Sequence, residues 1–218
     1  LTALRTEFFT AVFFTAGFNA DDGLSLGPTF KFISHGFRKN PYKTIHQVAA
    51  TYAFSTKAFN FRYHNEFIGI MGENTDLVTD AEYKGPNNTA NFFGYGINSV
   101  YDKSQSGKFK FYRIRYDLGE ITMQLRHRFS EKVMISFGPA FQFYNLDENE
   151  KLNAQRNVVL NIATNGLNPN TVFDRQSYFG GIFSFILDTR NNKVLPEKGI
   201  HWTNNVRFWN GLKGDSYD

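Results

Sequence analysis

The sequence predicts an all-β protein, an antiparallel transmembrane β-barrel, on three observations. Apolar residues recur with a period of two, several of these runs reach ten residues or more, and aromatic residues crowd a chain that is polar on average. Among 218 residues stand 25 Phe and 11 Tyr against only 6 Pro, an aromatic load above that of ordinary soluble domains. The mean hydropathy is nonetheless negative. The longest uncharged apolar stretch, Phe8 to Phe18, is about half of the ~20 residues a membrane helix needs. Strands with one face toward lipid and the other toward water reconcile the two facts; disorder does not.

Thr6 to Gly17, Leu24 to Phe37 and Thr44 to Phe54 are the first strand candidates. Phe59 to Phe67 follows, with Phe59, Phe61, Tyr63 and Phe67 on one side and Asn60, Arg62, His64 and Glu66 on the other. Phe92 to Tyr101 and Phe109 to Leu118 come next. In Ile121 to Phe129, Ile121, Met123, Leu125 and His127 interleave with Thr122, Gln124, Arg126 and Arg128. The apolar phase moves from even positions (Tyr112, Ile114, Tyr116, Leu118) to odd ones there, which places a turn or a bulge near Gly119. Val133 to Tyr144 carries the clearest alternation, and Ser177 to Asp188 and Ile200 to Trp209 complete about ten strands. Connections are unequal, from the tight Ser130-Glu131-Lys132 turn to the polar stretches Gly72 to Asn88 and Asp147 to Gln176. Outer-membrane barrels pair short periplasmic turns with long outer loops, so residues 147 to 176 are expected outside the cell.

Other chemistries are disfavoured. Without Cys there is no disulfide scaffold, thiolate zinc site or cysteine nucleophile. The net charge is +4, yet Lys and Arg are scattered, which argues against nucleic acid as a partner. His46, His64, His127 and His201, with Glu66, lack metal-ligand spacing and read as polar wall or interface groups. Asp21-Asp22-Gly23 reads as a turn rather than a calcium loop. No catalytic residue and no cofactor site can be nominated, so the chain is not expected to be an enzyme. Arg62, Arg113, Arg115, Arg126 and Arg128, with Glu66, form the one notable charged set and are expected to line a lumen. Tyr112, Tyr144, Trp202 and Trp209 are candidates for interfacial aromatic girdles. Leu1 to Thr6 does not open a signal peptide, so the start is expected to be mature, trimmed or internal.

Near the end, Leu187 to Gly199 reads as a strand end, a turn and a restart, with Asp188, Arg190, Pro196 and Gly199 as its fixed points. Pro196 sets φ and Gly199 permits tight re-entry, while Asp188 and Arg190 are spaced to pair. This pattern resembles the periplasmic turn between central strands in barrels of the BamA/TamA-type bacterial surface-antigen family. Gly17 to Gly27 and Asn87 to Gly96 resemble segments of the Bacteroidetes-type subgroup fused to phosphoesterase or patatin-like domains. The resemblance implies one barrel domain over residues 1–218, holding about ten of the family's sixteen strands and therefore incomplete. The family's arginine-glycine-aromatic inner loop and aromatic C-terminal strand are not found, nor are its client-receiving repeats.

By the same resemblance the protein resides in the bacterial outer membrane. Its partners would be outer-membrane lipid and lipopolysaccharide, unfolded outer-membrane clients and accessory lipoproteins, and it would insert, assemble or translocate proteins. Two other readings stay open: a barrel that anchors or exports an upstream phosphoesterase-like or lipase-like domain, and a lipid-binding or carbohydrate-binding β-barrel, soluble or in a membrane.

Overall fold

The computed structural model of the protein describes residues 8–19, 22–36, 39, 41–93, 112–146 and 171–212. They form one antiparallel sheet of nine strands whose spatial order is their chain order. The strands are β1 (Phe8–Asn19), β2 (Gly23–Ser34), β3 (Thr44–Ala53), β4 (Ala58–Phe67), β5 (Thr75–Asn91), β6 (Arg113–Arg128), β7 (Val133–Leu146), β8 (Gln176–Asp188) and β9 (His201–Gly211). Each is joined to the next as a neighbour, the simplest meander. The connections after β5 and β7, the two longest, leave the same end of the sheet. The short β1–β2 and β3–β4 turns share that end, and the β2–β3, β4–β5, β6–β7 and β8–β9 connections lie at the other, so short turns and long connections are not divided between the two ends.

The stretch from Gly72 to Asn88 corrects the sequence reading, because most of it is β5, the longest strand at 17 residues. Its exposed-face residues, Thr75, Leu77, Thr79, Ala81 and Tyr83, are too weakly apolar to announce a strand, while Asp76, Asp80, Glu82 and Lys84 give it the composition of a loop. Phe92 and Phe93 lie outside any strand; the rest of the Phe92 to Tyr101 candidate falls outside the described residues, as do 109–111 and 147–170. Gly119 marks no turn, and the bulge expected near it lies on the partner strand, opposite Asp117. β6 pairs with β7 in one register from Tyr116–Leu146 to Arg128–Met134, and the irregularity sits in β5, between Lys84 and Asn88. There Pro86 lacks a donor and Asn87 has φ 67°, so the ladder breaks.

Strand parity divides the sheet into two faces. One carries Phe14, Phe30, Phe61, Leu125, Phe137, Phe183 and Phe208 in cross-strand register, and many of its rings are exposed, Phe14 at 85%. The opposite face is concave and polar. Arg207 of β9 reaches Glu120 of β6 at 2.8 Å across three strand spacings, about 14 Å on a flat sheet. Such a chord closes only over a curved wall.

Two Gly-Pro pairs help to produce the curvature. Gly27-Pro28 in β2 and Gly138-Pro139 in β7 each lie where one ladder skips a rung, toward β3 and β6 respectively. Proline removes a donor there, and glycine lets the neighbouring backbone approach: a Cβ at Gly138 would stand 1.8 Å from the Met123 carbonyl oxygen, and one at Gly27 would stand 1.7 Å from that of Ala50. Gly138→Ala should therefore lower stability by about 1–3 kcal/mol. A urea titration of the folded protein checks it, and an unchanged midpoint would count against close approach as the reason for glycine.

Candidate functional site: the polar concave face

The concave face is ionic at the end bearing the β4–β5 and β6–β7 turns. Asp76, at 0% exposure, is its hub. Its carboxylate accepts from the Gly69 backbone N–H at 2.9 Å, from Arg126 at 3.0–3.1 Å and from Arg128 at 2.8 Å. Arg126 forks across β5 to Glu66 of β4, with its two terminal nitrogens at 3.1 and 2.7 Å, a bidentate geometry that only guanidinium supplies. Glu66 also accepts from Tyr42 at 2.8 Å and stands 3.3 Å from His64, whose Nδ1 lies 2.6 Å from Asp80. Arg128 donates to the Glu73 carbonyl at 2.8 Å, and Lys39 donates to that of Gly69 at 2.9 Å. The network thus fastens the turns around 35–43 and 68–74 to the strand ends.

Asp76, the buried carboxylate among the described residues, is fully compensated. Burying Asp76 and leaving it unpaired would cost several kcal/mol, and two arginines and one amide compensate it. Toward the middle of the face the pairs loosen. Arg62, 66% exposed in its side chain, meets Glu82 at 2.9 Å, and Lys84 meets the same carboxylate at 3.2 Å. A trough of about 710 Å³ runs along this region, lined by groups that include Thr15, Gln47, Asn60, Arg62, Glu82 and Glu120. Its hydroxyls, amides and charges of both signs suit water or a polar chain.

The structure brings together Arg62, Glu66, Arg126 and Arg128 on this face as the sequence suggests. Arg113 and Arg115 stand apart from them, in the first residues of β6, which pair with β5 alone beyond its break. Arg115 instead donates to the Asn87 side chain at 2.9 Å. The apolar shift read near Gly119 has another cause. Leu118 and Tyr144 occupy the concave face at the far end, so that face turns from aromatic to ionic along its length with no break in β6. Of the girdle candidates, Trp202 lies on the apolar face, in edge contact with Phe185 at 5.7 Å. Tyr144 and Trp209 lie on the concave face, and Tyr112 is buried against Phe93.

The histidines have separate partners: His46 bonds Tyr63 and Asn65, His127 bonds Thr75, and His201 stands 3.4 Å from Asp188. Among the described residues no three His, Asp or Glu side chains are grouped to hold a metal. In the turn motif Arg190 pairs with Asp188 through both carboxylate oxygens at 2.8 Å, and Gly199 has φ 105°. Sequence reasoning missed Asp76, Asp80, Glu82 and Tyr42. The alternation from Thr75 to Lys84, faint and interrupted by Val78, was the signal that could have found the first three.

No protein-family model, curated protein or solved structure matches the chain.

Two outcomes follow from this geometry. Asp76→Ala should destabilise the protein by about 3–5 kcal/mol, whereas Arg62→Ala, at an exposed pair, should cost under about 1 kcal/mol; equal midpoints in denaturant would sink the distinction. Burial first, and then the hydrogen bond it donates to Glu66, push the Tyr42 phenol up to about 12 from 10.0. The folded state favours the neutral phenol, so its contribution is intact below pH 10.0 and is lost as pH climbs toward about 12. Tyr42→Phe should flatten the stability curve in that window relative to the unaltered protein, measured by denaturation at stepped pH.

Proposed function

We propose that the chain forms part of the wall of a bacterial outer-membrane β-barrel of the BamA/TamA type, acting in insertion, assembly or translocation of other proteins. The observation that carries the membrane reading is the contrast between the two faces. One exposes Phe8, Phe14, Phe18, Phe137, Phe183 and Phe208, and the other holds the Asp76–Arg126–Glu66 network. An exposed apolar face of this extent is covered by lipid in a membrane and is a liability in water. The 10–17-residue strands suit a tilted crossing, which needs about 9–11. The paired Asp188 and Arg190, with Pro196 and Gly199 in the same β8–β9 turn, support the family. The protein-handling role comes from the resemblance, in which the first and last strands of the barrel form a seam where an extended client strand could pair through backbone hydrogen bonds.

The two tryptophans test the membrane reading, because Trp202 and Trp209 occupy opposite faces. In lipid vesicles brominated acyl chains should quench Trp202 in the Trp209→Phe variant, and iodide should quench Trp209 in the Trp202→Phe variant. The same quenching pattern from both residues would reject the reading. For the role itself, depleting the protein should lower the amount of folded outer-membrane or surface proteins, and unaltered levels would exclude it.

A further inference from the structure

We infer that the concave face carries a binding track for a chain of neutral sugars: a diagonal of aromatic rings from Trp209 to Tyr116, flanked by the hydrogen-bonded chain Arg207–Glu120–Gln142. The observations that carry it all lie on the concave face and are independent of the membrane reading.

The ladders set the diagonal. Trp209 of β9 is opposite Gly180, and Tyr178, two residues along β8, is opposite Gln142; Tyr144, two along β7, is opposite Leu118, and Tyr116 lies two along β6. Every step runs toward the end from which the β5–β6 and β7–β8 connections leave. All four rings share the parity of Glu120 and so join the concave face. Each step crosses one ladder and advances two residues, a diagonal spacing of about 7–8 Å that aromatic side chains span. Gly180 and then Ala140 follow Trp209 across the next two ladders at its own level, so no tall side chain stands beside the indole there. Tyr144 is 38% exposed.

A polar rail runs beside the rings. Glu120 accepts from Arg207 at 2.8 Å and from Gln142 at 2.9 Å. Arg207 uses one guanidinium N–H in that bond and its side chain is 47% exposed, so donors remain for a ligand. The charges of Arg207 and Glu120 cancel, so a phosphate or other anion finds no net attraction and stands against the carboxylate. An acyl chain would cover the guanidinium and carboxylate without replacing their water. An extended peptide needs partners for its repeating N–H and C=O groups, whereas β7 and β8 beneath the track already pair on both sides. A pyranose matches both halves of the track: its C–H face lies on a ring, and the hydroxyls round its rim reach guanidinium, carboxylate and amide. Glu120 also lines the trough. The track therefore continues into a region where Thr15, Thr29 and Thr51 present hydroxyl groups to the same ligand.

A glycan array bearing neutral, sulfated, phosphorylated and sialylated oligosaccharides tests this, probed with the labelled protein in lauryldimethylamine oxide, a detergent without a sugar headgroup. Neutral glycans should be retained in preference to the anionic ones. In variants whose β-sheet circular dichroism matches the parent, Tyr144→Ala and Tyr178→Ala should each weaken the best-retained glycan by about tenfold or more. Tyr144→Phe, which keeps the ring, should lose much less, and Phe185→Ala, on the opposite face, should lose nothing. Retention of no neutral glycan, or a preference for anionic ones, would overturn the inference. So would retention that survives Tyr144→Ala combined with Tyr178→Ala. Equal displacement of the glycan by an unfolded peptide of uncharged residues would overturn it too and assign the track to a client strand.

Discussion

Everything in this sheet depends on the period-two alternation of side chains along continuous ladders. Because neighbouring strands keep register from β1 to β9, the parity of a residue decides which face it joins, and one slipped rung would carry charges to the apolar side. The protein holds register with few irregularities. The break between Lys84 and Asn88 begins where the β4–β5 ladder ends at Asn60–Lys84, while the pairing of β4 with β3 continues to Ala58.

The ionic cluster shows how a register constraint becomes a tertiary one. Asp76 and Arg126 face each other directly across the β5–β6 ladder, and the guanidinium then has nitrogens left for Glu66 on the next strand but one. A single side chain thereby ties β4, β5 and β6 together on one face. The same carboxylate holds the Gly69 amide, so the adjoining turn is positioned by the charges that stiffen the wall. Charges so placed need a polar surrounding on their open side, which the trough provides.

Fold class was legible because alternation is local. Phe59 to Phe67, Ile121 to Phe129 and Val133 to Tyr144 declare both the strand and its faces, and the structure keeps the faces as read. β5 was not legible, because the apolar-face signal from Thr75, Thr79 and Ala81 is faint and its concave residues are mostly acidic. Missing it hid Asp76, since an aspartate in a presumed loop has no reason to be buried. The apolar shift near Gly119 misleads as a turn for a related reason: β6 runs through it, the bulge lies in β5, and the concave face changes character along its length.

The Gly-Pro pairs have a mechanical consequence. Each omits hydrogen-bonded rungs midway along one seam, between β2 and β3 and between β6 and β7. The wall is then unevenly compliant: three stiffer panels, β1–β2, β3–β6 and β7–β9, meet at two softened creases. Lateral load on such a surface concentrates at the creases, where it changes the angle between panels before it stretches the ladders within them.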